Sequence, residues 1–181
     1  MLVPLALVVG CQRDGTDPTP EVEGTPPTMT TPSPTPELDP VEAAEQDAVA
    51  AYRSMWAAFS EASRQADPDH PDLPRYATGD ALELLVSGLE ANRREGLVSD
   101  GGEVVLHPVV VEVEPAQSPA RATISDCADT SETRRVRPTG PPFTDSPGGW
   151  RQVTATVEVI DGEWKVADLA VQEVGSCAPE Q

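Results

Sequence analysis

The spacing of apolar and polar residues divides the chain into a helical half and a strand-rich half. After residue 40, apolar side chains recur every three or four positions, which is the period of an amphipathic helix. This stripe consists of Val41, Ala48, Tyr52, Met55, Phe59 and Ala62, with Trp56 beside it. Asp39-Pro40-Val41-Glu42 predicts the helix start, because a capping box and a proline at the first helical position coincide there. Asp67-Pro68 predicts its end near Ala66.

A second helix is predicted from Asp80, where Asp80-Ala-Leu-Glu83 repeats the capping-box pattern, to Gly96, a residue typical of helix ends. Its apolar face consists of Leu82, Leu85, Val86 and Leu89. The connecting residues 67–77 contain three aspartates and three prolines. They lack the glycine and glutamate of an EF-hand loop, so we predict a solvated turn and no metal site.

After Gly101, apolar residues alternate with polar ones, as in strands that bury one face. The residues predicted to face inward are Val109, Val111 and Val113, then Ala120, Ala122 and Ile124, then Val153, Ala155, Val157 and Val159. Asp161-Gly162 predicts a type I′ hairpin turn before a last strand over 163–172. Residues 128–149 are predicted as a long loop or a frayed hairpin arm. The predicted fold class is α+β, with a long N-terminal helix and a second helix packed on an antiparallel sheet.

The closing run Val157-Glu-Val-Ile-Asp-Gly-Glu-Trp-Lys-Val166 is similar to the final hairpin of the nuclear transport factor 2-like superfamily, in which Trp-Lys-Val often follows the turn. In that superfamily a long first helix lies across a curved sheet, and the layers enclose a cone-shaped cavity. The resemblance covers residues 41–177 and implies a cone-like domain. It implies no single activity, because the superfamily includes isomerases, cyclases, dehydratases and binding modules.

Ketosteroid-isomerase-like members of this superfamily use an aspartate base with a tyrosine and a neutral acid in an apolar pocket. The residues that would line such a cavity here are Tyr52, Trp56, Phe59 and Asp168. Asp126, near a strand end, is a further candidate for an inward-facing carboxyl group. None of these residues matches a catalytic motif, and His70 and His107 are not placed for a His–Asp pair. We therefore assign no catalytic residue, metal or cofactor. A packed core is the alternative explanation of the aromatic residues, and we expect them to fill the cone.

The first eleven residues predict where the protein resides. Their apolar run ends in Val8-Val9-Gly10-Cys11, and the chain then turns polar. This resembles the lipobox of bacterial lipoproteins, whose cysteine is diacylated and becomes the new N-terminus; two acyl chains give a stable anchor. The start of a buried strand and a plain secretory signal are the alternatives, but the basic segment of a signal is missing. We expect the translation start to lie upstream and residues 1–10 to be a signal remnant.

The lipidated cysteine and a disordered tether are predicted to occupy residues 11–40, and the folded domain residues 41–181. Residues 12–40 contain eight prolines and seven threonines. Such a composition has little to bury and favours an extended polyproline conformation. The tether would hold the domain away from the membrane.

The charge balance narrows the range of partners. The chain has 12 lysine and arginine residues against 31 aspartate and glutamate residues, a formal net charge of −19. Repulsion from phosphate argues against nucleic acid as a partner. Eleven of the basic residues are arginine, which together with frequent alanine and proline is typical of GC-rich genomes and predicts an actinobacterial source. The triplet Arg134, Arg135 and Arg137 is either a solvated loop that balances nearby acidic residues (Asp126, Asp129 and Glu132) or a contact for an anionic wall polymer or a protein.

Two cysteines remain besides Cys11. Cys127 and Cys177 predict a disulfide, because an exported protein meets an oxidising compartment and no histidine lies at metal-ligand spacing. Together these features predict a lipoprotein on the outer face of the cell membrane, whose domain is a non-catalytic binding or interaction module for an envelope protein or cell-wall partner. The alternatives are a small-molecule enzyme or ligand-binding protein that uses the cone cavity, and an accessory domain beside penicillin-binding machinery. The sequence predicts no oligomeric state.

Overall fold

The computed structural model describes residues 39–178; the predicted signal remnant, Cys11 and most of the tether lie outside this range. Its three helices are α1 (Pro40–Gln65), α2 (Leu73–Tyr76) and α3 (Gly79–Glu95). Its six strands are β1 (Val98–Gly101), β2 (Pro108–Glu114), β3 (Arg121–Asp129), β4 (Thr133–Val136), β5 (Trp150–Ile160) and β6 (Glu163–Val171). Within 39–178, no helix has the length and apolar character needed to cross a membrane.

Four strands form an antiparallel sheet in the order β2-β3-β5-β6, and β1 and β4 form a separate two-stranded ribbon. Helix α1 packs across the sheet, and α3 packs on β6. The predicted fold class is confirmed: the domain is α+β, with a long helix lying on a curved antiparallel sheet in a cone-like arrangement.

Helix α1 begins and ends for local chemical reasons. The Asp39 carboxyl group accepts a hydrogen bond from the Val41 amide at 2.9 Å, which satisfies one of the free N–H groups of the first turn. At the other end Ala66 adopts a left-handed conformation with φ of 48°, and Pro68 follows. Between these ends the helix buries Tyr52, Met55 and Trp56 against the sheet.

The hairpin between β5 and β6 has the predicted turn. Asp161 and Gly162 both have positive φ, 53° and 83°, as a type I′ turn requires. The turn places Trp164 opposite Val159, and Val166, opposite Val157, is completely buried. The Trp-Lys-Val run therefore contributes to the core of the domain.

The predicted inward face of β2 is wrong for Val109 and Val111 and right for Val113. Val109 and Val111 are about 60% exposed, whereas Val110 and Val113 pack against the core. The pairing with β3 shifts between Val110 and Glu112, so Val111 is an extra residue that breaks the alternation. Three successive valines give the sequence no polar residue that would reveal this shift.

The loops are also more structured than predicted. Part of the predicted loop over 128–149 is strand β4, and its partner β1 was not predicted at all. Within the predicted solvated turn, α2 buries Leu73 in the core. Helix α3 begins at Gly79, and Thr78 rather than Asp80 occupies the N-cap position.

Candidate functional site

A tyrosine and an aspartate meet inside the cone. The Tyr52 hydroxyl donates a hydrogen bond of 2.9 Å to Oδ2 of Asp126, and the backbone amide of His107 donates one of 2.7 Å to Oδ1. Tyr52 lies midway along α1, and Asp126 points inward from β3 because it alternates with the buried residues Ile124 and Ala128. Tyr52 is 0% and Asp126 1% exposed. Both carboxyl oxygens therefore have internal donors.

Burial raises the pKa of Tyr52 well above its usual value, and the nearby negative charge of Asp126 raises it further. The phenol consequently stays protonated and acts as a donor. A buried polar pair of this kind stabilises the fold when every lone pair is satisfied. Its chemistry is that of an internal hydrogen bond, out of reach of solvent.

The aromatic residues predicted to line a cavity are packed against one another. Trp56 contacts Tyr52 and Phe59 edge to face, with ring centroids 6.3 and 6.0 Å apart. Tyr52 is wholly buried in the core, whereas Trp56 and the half-buried Phe59 also line an open cleft. Among residues 39–178, the indole N–H of Trp56 is the one buried side-chain polar group without a hydrogen-bond partner.

Asp168 does not line the interior, which corrects the prediction. In the pairing of β5 with β6, Thr156 lies opposite Asp168 and Val157 opposite Val166. Ala167 is therefore an extra residue, which places Val166 and Leu169 on the buried side and leaves Asp168 exposed. Strict alternation in the sequence predicted the opposite face.

The open cleft has a volume of about 420 Å³. It lies between the C-terminal half of α1, the β1–β4 ribbon and the start of β5. We call it the arginine groove, after the four arginines in its lining: Arg64, Arg134, Arg135 and Arg151. Trp56 and Phe59 contribute aromatic surface, and serine and threonine hydroxyl groups contribute much of the rest.

Two aspartates hold two of these arginines in place. Arg134 donates through Nε and Nη2 to Oδ2 of Asp100, the shorter contact being 2.6 Å, and Arg135 donates through the same two nitrogens to Oδ1 of Asp145, the shorter being 2.7 Å. The hydrogen bonds from Arg134 lower the pKa of Asp100. Burial alone would raise the pKa of Asp145, but the hydrogen bonds from Arg135 lower it overall.

Arg151 differs from these arginines. It pairs across the sheet with Ala128, on the inward face of β5, and its Nη1 donates to the carbonyl oxygen of Gln172 at 3.3 Å. Among residues 39–178 no carboxylate forms a salt bridge with it, whereas Arg64 contacts both Glu61 and Glu103. Arg151 therefore brings an unbalanced positive charge to the groove.

Close backbone approach shapes one wall of the groove. A Cβ atom at Gly148 would collide with the carbonyl oxygen of Thr130, so only glycine fits there. The Thr130 hydroxyl donates to the Gly149 carbonyl at 2.8 Å and accepts from the Gly149 amide at 3.0 Å. The Gly-Gly pair predicted as part of a loop thus fixes the segment that carries Asp145.

The predicted disulfide between Cys127 and Cys177 is confirmed. It ties the segment after β6 to the end of β3, where Cys127 lies between Asp126 and Ala128. The same end of the sheet therefore supports both the Tyr52–Asp126 pair and Arg151.

Sequence reasoning found part of the groove. It singled out Arg134, Arg135 and Arg137, but predicted Asp126, Asp129 and Glu132 as their balancing charges. The structure places Asp100 opposite Arg134 and Asp145 beside Arg135 instead. Arg64 and Arg151 carried no local signal, since only the fold brings them near the triplet. Among residues 39–178, no group of three or more histidine, cysteine, aspartate or glutamate side chains is arranged to hold a metal ion.

Comparisons with known proteins yield structural likenesses only. No protein-family model matches the chain, and no curated protein is significantly similar in sequence. The intermembrane-space region of the chloroplast protein ARC6 is similar over 75% of this chain and 98% of its own, with 19% identity and a TM-score of 0.49. A scytalone dehydratase-like protein from Novosphingobium aromaticivorans is similar over 72% and 87%, with 12% identity and a TM-score of 0.45.

A protein of unknown function with a cystatin-like fold from Nostoc punctiforme is similar over 71% of this chain and 92% of its own, with 13% identity and a TM-score of 0.40. At such low identities and TM-scores, these likenesses carry no argument about activity, substrate or partner.

Proposed function

We propose that this protein is an actinobacterial lipoprotein with a nuclear transport factor 2-like domain, anchored to the outer face of the cell membrane through diacylated Cys11. The domain acts as a non-catalytic binding or interaction module of the cell envelope, with an envelope protein or a cell-wall component as its partner. The lipobox-like run before Cys11 supports the anchor. The bond between Cys127 and Cys177 is in keeping with an oxidising compartment.

The observation that carries the non-catalytic role is the burial of the Tyr52–Asp126 pair. A general acid or base must come within hydrogen-bond reach of its substrate. Asp126 has both oxygens occupied by Tyr52 and the His107 amide, and neither side chain of the pair is open to solvent. The residues that most resemble an isomerase site therefore hold the interior together.

Mass spectrometry tests the anchor. The protein is expressed from its complete reading frame in a bacterium that processes lipoproteins. We expect a processed chain that begins at Cys11 and carries the diacylglycerol mass, and Cys11→Ser should lose this mass. The matched control is the double variant Cys127→Ser, Cys177→Ser, which removes the other two thiols and should keep the modification. An unmodified Cys11, or processing at another residue, would contradict the proposal.

The second candidate is a small-molecule enzyme or ligand-binding protein that uses the cone. One observation favours ligand binding: the arginine groove has the volume of small-molecule sites, which lie at roughly 300–1,000 Å³. The groove brings guanidinium, hydroxyl and aromatic groups together. Binding in this groove is compatible with a non-catalytic module.

A further inference from the structure

The arginine groove concentrates positive charge in an acidic protein. Four of the chain's 12 lysine and arginine residues line it, against two of its 31 aspartate and glutamate residues. Carboxylates form salt bridges with Arg64, Arg134 and Arg135, so the positive charge left in excess at the groove is that of Arg151. An excess of positive charge in a concave surface raises the local concentration of anionic ligands. In a chain of formal net charge −19, this cleft is therefore a favourable place for an anion.

The guanidinium groups are oriented and still have donors to spare. Arg134 and Arg135 each use Nε and Nη2 for an aspartate, and their Nη1 groups remain available. Arg151 adds a positive charge with no carboxylate partner among residues 39–178. Guanidinium groups match the geometry of carboxylates and phosphates, which they bind by paired, charge-assisted hydrogen bonds.

The rest of the lining is unlike that of a site for a bare ion. Trp56 and Phe59 contribute aromatic surface to the lining. Ser63 is one of two buried polar or charged residues among the described ones, and it faces this groove from α1 beside Ser60. Hydroxyl groups both donate and accept, so they can match several hydroxyl groups of a ligand.

We propose that the arginine groove binds a small anionic sugar, a sugar acid or a sugar phosphate. This inference rests on the proposed binding function. The carboxylate or phosphate contacts Arg151 and Arg134, the sugar hydroxyl groups contact the serine side chains, and a face of the ring lies on Trp56 and Phe59. Carboxylate and phosphate share the chemistry that guanidinium recognises, so the experiment carries an arm for each.

Isothermal titration calorimetry on the full chain carrying Cys11→Ser tests the proposal. The probes are glucuronate, glucose 6-phosphate, uncharged glucose and inorganic phosphate. We expect at least one charged sugar to bind about tenfold or more tightly than glucose and than inorganic phosphate. Arg151→Gln should weaken that binding about tenfold or more, the change expected when one charge-assisted hydrogen bond is lost. Arg134→Gln, an exposed position, gives an independent second variant.

Arg94→Gln is the matched control, because Arg94 is exposed on α3 away from the groove and the substitution changes the net charge equally. The proposal is overturned if neither charged sugar binds better than glucose. It is also overturned if inorganic phosphate binds as tightly as the tighter-binding charged sugar, or if Arg94→Gln weakens binding as much as Arg151→Gln, because general charge attraction then explains the result. Lipidation at Cys11 is measured separately. A negative binding result therefore does not contradict the lipid anchor, and an unmodified Cys11 does not contradict sugar binding.

Discussion

Inside the cone, the Tyr52 hydroxyl and the backbone amide of His107 donate to the two carboxyl oxygens of Asp126. At the groove, Arg134, Arg135 and Arg151 each keep N–H groups that have no acceptor among residues 39–178. The two regions share α1 and the end of the main sheet. The two regions differ in whether their polar groups have all their hydrogen-bond partners within the protein. A buried polar group whose hydrogen-bond partners all lie within the protein stabilises the fold. A guanidinium group that is oriented by an aspartate and still has free N–H donors can bind a ligand. Polar side chains thus stabilise the structure in the first region, and in the second they are the groups on which the proposed binding rests.

Trp56 lies between the two regions and provides the strongest test of the difference. It is 8% exposed and packs on both Tyr52 and Phe59. We expect Trp56→Ala to reduce the free energy of unfolding by about 3–5 kcal/mol, because it leaves a large space in the core. Urea denaturation measures the loss. Leu84→Ala, at an exposed position on α3, should change stability little. A small loss for Trp56→Ala with an unchanged fold would assign Trp56 to the groove rather than to the core.

The disulfide supports both regions from the same end of the sheet. We expect the double variant Cys127→Ala, Cys177→Ala to lose about 2–4 kcal/mol of unfolding free energy, because the unfolded chain regains the freedom of a loop of 50 residues. Denaturation of the oxidised wild type with and without reductant gives the matched comparison. An unchanged stability after reduction would show that the strands hold this end without the covalent bond.

Tyr52→Phe tests whether the interior pair affects stability without affecting binding in the groove. The change leaves Oδ2 of Asp126 without its donor, and we expect a loss of about 1–3 kcal/mol with sugar binding unaffected. The raised pKa of Tyr52 also predicts a pH effect. The folded state keeps the phenol proton where the unfolded state has lost it, so this contribution is fully present below pH 10 and declines as the pH rises above 10.

Denaturation between pH 8 and about pH 11 measures this decline, which spans the usual tyrosine pKa. Tyr52→Phe should flatten it, whereas Tyr76→Phe, at the other tyrosine of the chain, should keep it. If both variants behave alike, the alkaline decline does not come from the interior pair.

Asp145→Asn gives the smallest expected effect on stability and sharpens the role of the groove. The pair with Arg135 is partly exposed, so its loss should cost about 1 kcal/mol or less. The lowered pKa of Asp145 predicts that this contribution is present above its usual value of 3.8 and lost as the pH falls below it. Asp168→Asn, at an exposed site, is the control. A shift in sugar affinity with Asp145→Asn alone would show that the aspartate orients Arg135 for the ligand.

The sequence predicted most of the elements, because periodicity, caps and turn residues are local signals. Helix α1, the Asp161-Gly162 turn and the pairing of Cys127 with Cys177 could all be predicted in this way. The faces of β2 and β6 could not, since one extra residue in each strand reverses the alternation without changing the composition. The groove could not be predicted for another reason. Its lining comes together only when the β1–β4 ribbon has formed beside α1, which brings together Arg64, Asp100, Arg134 and Arg151.

The bond between Cys127 and Cys177 also determines how the chain responds to a protease. It closes a covalent ring that contains β4, β5, β6 and the exposed loop after Arg137. A single cut in residues 138–147 therefore gives two fragments that migrate as one molecule until a reductant is added. A cut in the exposed turn over residues 115–118 lies outside the ring and separates the fragments as soon as the protein is denatured. Proteolytic nicks within the ring leave the chain in one covalent piece, and those before it divide the chain.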